Sequence, residues 1–199
     1  MPNLALFDFD GTITSKDTFT PFIFHAVEPT RMAVGKVVLS PLIAAYKLGF
    51  LSASLMRRSI VRFGFRGRRC VDVQAAGLQY SRSRLARVVR GKALERIRWH
   101  QAQGDVVVVV SASLDVYLAD WCRELGVELI CTELEERQGV LTGRYRDGDC
   151  SGGEKARRIR QRYDLKSFGA IYAYGDTTED EAMLALASQR YYRWPELND

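Results

Sequence analysis

Two aspartates one residue apart close an apolar run near the start of the chain, Leu4-Ala5-Leu6-Phe7-Asp8-Phe9-Asp10-Gly11-Thr12. Burying an ionised carboxylate without a partner is costly, so a strand that ends this way should aim Asp8 and Asp10 at water, a cation or a substrate. Strand periodicity puts the two on one face, but Gly11 lets the backbone turn directly after Asp10, so the acids need not be equivalent. Neighbouring carboxylates repel unless a cation lies between them, and hard oxygen donors suit Mg²⁺. Taken alone, the pair also fits a solvated strand-to-loop turn with Asp10-Gly11 as its turn residues.

Other reactive groups follow other apolar runs. Ser111-Ala112-Ser113 comes after the valines at 106–110, Gly175-Asp176-Thr177-Thr178-Glu179-Asp180 comes after the run at 170–174, and Lys155 stands at a predicted helix start behind Ser151-Gly152-Gly153-Glu154. Singly, Ser111 reads as a strand-end hydroxyl, Lys155 as a solvated helix lysine, and Asp176, Glu179 and Asp180 as an acidic helix start favoured by the macrodipole. Jointly they suit a phosphate ester. One carboxylate can attack phosphorus, a second acid can protonate the leaving oxygen, and a lysine with hydroxyl and backbone N–H donors can stabilise charge on the equatorial oxygens. His25 and His100 are isolated and read as non-catalytic.

The elements that would position these groups show in the hydropathy pattern. Strands are predicted at 4–7, 106–110, 127–131, 170–174 and 190–194, with helices at 86–103, 114–125, 154–163 and 178–187. Five consecutive valines without polar alternation mark a strand covered on both faces. Alternating strands and helices predict an α/β protein with a doubly wound, mainly parallel sheet, whose ligands bind beyond the carboxyl ends of the strands. A hairpin strand is predicted at 139–145, ahead of the third crossover. From Thr14 to about Arg84 the strand pattern gives way to helical periods, so the expected organisation is a core of 1–14 and 85–199 with a helical cap inserted at 15–84. Within the cap, an uncharged stretch at 37–46 is flanked by Lys36 and Lys47. It is too short to span a bilayer, which takes about twenty residues; it reads as a buried helix or as an interfacial one that touches lipid.

The chain has 199 residues, 47% of them hydrophobic, enough for a sizeable core. Its net charge of +5 is uneven. Between Ser52 and Arg98 thirteen Lys or Arg face only Asp72 and Glu95, a field that attracts an anionic substrate, an acidic membrane or nucleic acid, or else marks a solvated arginine-rich face. No nucleic-acid motif accompanies it and aromatics are not interleaved for stacking, so no nucleic-acid partner is expected. Cys70, Cys122, Cys131 and Cys150 form no C-x-x-C pair, which argues against zinc and a disulfide framework. With strand and acids beginning at once in place of a secretory signal, a cytoplasmic protein is predicted.

The order Asp8-Phe9-Asp10-Gly11-Thr12, Ser111, Lys155, Gly175-Asp176-x-x-x-Asp180 resembles the four motifs of the haloacid dehalogenase-like hydrolases, across residues 8–180. The helical insertion between the first two motifs resembles the subgroup with phosphoserine phosphatase and a bacterial phosphatidylglycerophosphatase. The resemblance implies a Rossmann-like core and a phosphatase, because dehalogenases of this pattern lack an aspartate at the position of Asp10. It implies Asp8 as nucleophile, Asp10 as general acid and base, and Ser111 and Lys155 as phosphoryl-binding groups, with Thr12 also near the substrate. It implies Mg²⁺ held by Asp8, the Asp10 backbone carbonyl and Asp176, with Asp180 as a further ligand or supporting acid. Asp17 sits where phosphoserine phosphatases have a glutamate for the substrate amine, a role it shares as an expectation with simple helix capping. Arg57 or Arg58 would meet a substrate carboxylate or second phosphate. The basic cap and the apolar 37–46 stretch favour a large or lipid-linked phosphate over phosphoserine, within a partner class of small-molecule or lipid-linked phosphate esters, and leave room for peripheral contact with an anionic membrane. A phosphotransferase, or a non-catalytic protein docking anionic lipid or nucleic acid, stands as the alternative.

Overall fold

The computed structural model describes residues 1–194. At the centre of a five-stranded sheet lies β1 (Leu4–Phe7), flanked by β2 (Val106–Leu114) and β3 (Glu128–Thr132) on one side. On the other side are β6 (Ile171–Gly175) and β7 (Gln189–Tyr192), which gives the order β3-β2-β1-β6-β7 with every pair parallel. Strands that are apolar at every position need cover on both faces. Ala5, Phe7, Val107 and Val109 join one apolar cluster with Ile97 of α6 (Gly91–Ala102) and Tyr117 and Leu118 of α7 (Asp115–Leu125). Leu4, Leu6, Val108 and Val110 join the other, with Ile159 of α8 (Gly153–Arg162) and Met183 and Leu184 of α9 (Glu181–Leu184). The sheet is therefore doubly wound about β1, as the pattern predicts. His100 is buried in it, bonded to Asp105 at 2.7 Å and to the Tyr174 hydroxyl at 3.0 Å.

Between β1 and α6 run five helices, α1 (Phe19–Ala26), α2 (Pro29–Val38), α3 (Ser40–Lys47), α4 (Ala53–Phe65) and α5 (Cys70–Ser83). This insertion shares its core with the sheet. Phe22, Phe65 and Tyr80 cluster with Phe9 and Tyr117, and the Phe22 ring lies 4.7 Å from that of Tyr117. A two-stranded antiparallel sheet of β4 (Leu134–Arg137) and β5 (Val140–Tyr145) docks on the same helices. Its backbone pairs with the α4–α5 connection: Gly67 N–H donates to the Leu141 carbonyl at 2.9 Å and Cys70 N–H to the Gly139 carbonyl at 2.8 Å.

Three elements differ from expectation. The helix predicted over 86–103 is a turn at Leu85–Arg87 followed by α6, because Val89 bridges to Thr14 and Arg90 N–H donates to the Ile13 carbonyl at 2.8 Å. The helix predicted over 178–187 shrinks to a turn at Thr178–Asp180 and the short α9, since Asp180 is drawn into the sheet edge. The stretch at 37–46 is not one buried helix. It is divided at Leu39, with Pro41 in the first turn of α3, where proline is tolerated; Val37 is 74% exposed and α3 buries no residue. Residues 195–199, the end of the expected core, lie outside the described residues.

Candidate active site

The chain order reverses between β1 and β6, and the crevice at the carboxyl ends of these strands is where an open α/β sheet binds ligands. Asp8 sits there, its N–H donating to the Tyr174 carbonyl at 2.9 Å. Gly11 then takes φ 86°, and a Cβ on it would lie 2.1 Å from Asp176 Oδ2. Only glycine lets the first and last acidic segments close on each other here. Gly175 does the same for Asp180, whose Cβ would lie 2.6 Å from one added at that glycine.

Lys155, buried at the start of α8, ties the acids together. Its ammonium donates to Asp180 Oδ1 at 2.6 Å and to Asp8 Oδ1. The other Asp180 oxygen accepts from the N–H groups of Asp176 (3.1 Å) and Thr177 (3.0 Å) and from the Thr177 hydroxyl (3.1 Å). Charge and burial compete at every group. Burial pushes the Asp8 carboxyl up to about 8 against the pull of Lys155. Burial would depress Lys155, but Asp8 and Asp180 hold it above its ordinary value. Burial works upward on Asp180 too, yet Lys155 outweighs it and the carboxyl stays below the usual range. Asp176 is raised, by burial first and then by Asp180.

Carboxylate oxygens of Asp8, Asp176 and Asp180 lie within 4.8 Å of one another. Because Lys155, the 176–177 N–H groups and the Thr177 hydroxyl occupy both Asp180 oxygens, the second Asp8 oxygen and Asp176 are the donors best placed to hold a cation. An all-oxygen, anionic set of this kind fits Mg²⁺.

Asp10 faces elsewhere. Its Oδ1 accepts from the Thr18 N–H at 2.7 Å and the Thr18 hydroxyl at 2.6 Å, and its Oδ2 accepts from the Ser113 hydroxyl. Burial raises this carboxyl to about 6, with the Ser113 and Thr18 hydrogen bonds pulling the other way. Ser113 N–H in turn donates to Ser111 Oγ at 3.0 Å, which fixes that hydroxyl.

Asp8, Asp10, Ser111, Lys155 and Asp176 thus line one pocket of about 950 Å³. Thr12 and Asp180 stand behind it. The Thr12 hydroxyl donates to Asp176 Oδ1 at 3.4 Å, and the residue is buried. Asp17 lies at the rim with its carboxylate spent on the Phe19 and Thr20 N–H groups, both at 3.1 Å, so it caps α1. Arg57 lines the pocket, but Asp149 (3.0 Å) and Glu179 (3.1 Å) share its guanidinium, and Arg58 does not line it. The outer wall is apolar, built from Phe19, Ile23 and Phe24 of α1, Met32 of α2, Ile43 and Tyr46 of α3, and Met56, Ile60 and Phe63 of α4.

Sequence reasoning missed Ser113 and Thr18 as the partners of Asp10, and the Arg57–Asp149–Glu179 link between α4 and the sheet edge. Ser113 had a signal, two residues past Ser111 on the same strand and so on the same face; Thr18 and Asp149 had none.

A lysine-bridged set of acids stands at the switch point of a doubly wound sheet, beneath a helical insertion, the layout of a hydrolase built on an α/β core. The chain belongs to the haloacid dehalogenase-like hydrolase family, which it matches over residues 5–185. It is 31% identical over 196 residues to the protein CicA of Caulobacter vibrioides, covering 96% of this chain and 86% of that one. Among solved structures it is similar to a protein of unknown function from Bordetella pertussis Tohama I (TM-score 0.79, 24% identity, 96% of this chain and 90% of the other). It is also similar to a substrate-bound phosphoserine phosphatase (TM-score 0.66, 22% identity, 96% and 86%). At these identities the two structures share the fold with this chain.

Proposed function

We propose that the protein is a Mg²⁺-dependent phosphomonoester hydrolase working through an aspartyl phosphate on Asp8, and that the alcohol carrying the phosphate is largely apolar. The observation that carries the chemistry is the buried Lys155 ammonium bound at once to Asp8 and Asp180. It holds the Asp8 carboxylate in place and offers positive charge where a phosphoryl group would arrive. Asp8, the Asp10 carbonyl and Asp176, backed by Asp180, would hold Mg²⁺, which when bound neutralises charge on the phosphoryl oxygens.

In the first half-reaction an Asp8 oxygen bonds to phosphorus as the bond to the alcohol oxygen breaks, and Asp10 gives its proton to that leaving oxygen. In the second, water attacks the same phosphorus, Asp10 takes a proton from it, and the Asp8 carboxylate departs from inorganic phosphate. Asp10, raised to about 6, is poised for both directions of transfer near neutral pH. Ser111 and Lys155 bind the transferring group. Thr12, buried behind the pocket, supports Asp176 through its hydroxyl.

The apolar outer wall supports a lipid-linked phosphate, with peripheral contact to an anionic membrane as part of the same reading. Arg57 is already engaged and Asp17 already caps a helix, which leaves the carboxylate and amine of phosphoserine without those two partners. A cytoplasmic setting is supported by four free, buried cysteines.

The test is phosphate release from phosphoserine, sugar phosphates, nucleotides and a lipid phosphate in mixed micelles, for the wild type and Asp8→Asn, with Mg²⁺ or EDTA. Release should need both Mg²⁺ and Asp8 and should be most efficient for the lipid. Activity surviving in Asp8→Asn would overturn the mechanism; phosphoserine turned over as well as the lipid would overturn the apolar-substrate reading.

A further inference from the structure

The helices α2 and α3 are out of keeping with the rest of the molecule. Of their residues only Gly35 is buried. The connection from α3 to α4 holds Leu48 at 70% and Phe50 at 83% exposure, and Val37 of α2 is 74% exposed. Eight of the twelve exposed large apolar side chains among the described residues fall between Phe24 and Leu55. Scattered apolar residues on a surface are ordinary, but a concentration of them in one element marks a site of interaction.

The charge around this patch says what kind of surface it meets. From Pro29 to Val71 the chain has nine Lys or Arg and not one Asp or Glu; Arg57 is paired with Asp149 and Glu179, and Arg68 with Glu28 at the start of α2. Lys36 and Lys47 sit on the two helices themselves, and both line the pocket. Long lysine stems can lie along an apolar surface while the ammonium stays at a polar boundary. Apolar side chains edged by an excess of cations are the composition of an element that lies in a bilayer interface and prefers anionic lipid. A second copy of the chain is a poor match, since it would bring cation against cation.

We infer that the α2–α3 pair and the Leu48–Phe50 segment form an interfacial docking element that seats the protein on an anionic phospholipid bilayer. Docked this way, the face of α2 and α3 that carries Met32 and Ile43 keeps lining the pocket, so the pocket mouth opens at the lipid surface. The inference takes its purpose from the apolar-substrate reading and its evidence from the exposed surface.

The experiment is co-sedimentation of the full chain with vesicles of phosphatidylcholine alone or mixed with phosphatidylglycerol. The wild type should bind the mixed vesicles at least about tenfold more tightly than the neutral ones, with binding weakened by salt. The triple variant Val37→Ser, Leu48→Ser, Phe50→Ser, none of which lines the pocket, should lose at least about tenfold in affinity for mixed vesicles while keeping its circular dichroism and its turnover of p-nitrophenyl phosphate. Asp8→Asn should bind vesicles like the wild type. If it binds while nothing is hydrolysed by the wild type, the phosphatase reading fails and the docking element stands. No binding of the wild type to mixed vesicles, equal binding by the triple variant, or a wild-type dimer that the triple variant dissolves would each overturn the docking inference.

Discussion

Replacing Ser113 by alanine should move the pH dependence of catalysis without touching the nucleophile. The Ser113 hydroxyl donates to Asp10 Oδ2, whereas Oδ1 keeps both Thr18 donors, at 2.7 and 2.6 Å. A hydrogen bond to a charged group is worth about 1.5–3 kcal/mol, and 1.36 kcal/mol corresponds to one pH unit, so its loss amounts to about 1–2 units. The bond favours the ionised form of Asp10, so losing it raises the carboxyl from about 6 toward 7 or 8. Transfer of the phosphoryl group to Asp8 needs Asp10 protonated, because it is the leaving oxygen that takes the proton. With bound Mg²⁺ and Lys155 holding Asp8 ionised, the alkaline limb of kcat/KM, which reports this step, should therefore move from near pH 6 in the wild type to roughly pH 7–8 in Ser113→Ala. Hydrolysis of the aspartyl phosphate needs Asp10 ionised, so below pH 7 the variant should accumulate more of that intermediate. Burst kinetics with a soluble phosphomonoester across pH 5–9 measure both effects, and Ser113→Thr, which restores a hydroxyl, should bring the limb back. A limb that stays in place, or moves to lower pH, would refute the assignment of Asp10 as the proton donor.

Asp10→Asn should abolish turnover and yet stabilise the fold at alkaline pH. The folded chain holds this proton more tightly than the unfolded one, so the stability it contributes is intact below pH 3.8 and is lost as pH rises through about 6. Above that, the buried ionised carboxylate costs up to about 3 kcal/mol; urea unfolding at pH 8 should show the gain in the variant, and at pH 4 it should nearly vanish. Arg57→Ala should destabilise by about 2–3 kcal/mol, below the usual range for breaking a buried pair because Arg57 keeps 17% of its side-chain surface exposed. Among the described residues Asp149 would retain the Thr132 hydroxyl at 3.4 Å as its side-chain partner, so in an Asp149→Asn background the same substitution should cost less than about 1 kcal/mol. Gly11→Ala places a Cβ 2.1 Å from Asp176 Oδ2 in a left-handed backbone, and should weaken the Mg²⁺ requirement curve at least about tenfold by displacing that acid.

The parts of this molecule that the sequence makes legible are those with local causes. The valines of β2 and the apolar Leu4–Phe7 run read as strands covered on both faces because each residue carries that information by itself, and they lie in the sheet in that role. Asp8, Lys155, Asp176 and Asp180 could be assembled from their order alone, since each follows a strand or opens a helix and a doubly wound sheet brings those points to one edge. What failed had causes distant in sequence. Whether 37–46 is buried depends on what packs against it, and an uncharged stretch looks the same from either side until the neighbours are placed; Pro41 marks the break but not which face is covered. The helix expected over 86–103 yields to a bridge with Thr14, more than seventy residues earlier. Asp10 follows the same logic. Its residue type announces an acid, but its readiness to exchange a proton near neutral pH comes from burial beside Thr18 on one side and Ser113 on the other, and Thr18 belongs to the insertion while Ser113 belongs to the sheet. The proton-transfer group is thus completed only when the helical insertion and the sheet edge are in contact. A motif read from the sheet residues alone holds half of what tunes it, and a shift in how the insertion sits would change the acid before it changed the nucleophile.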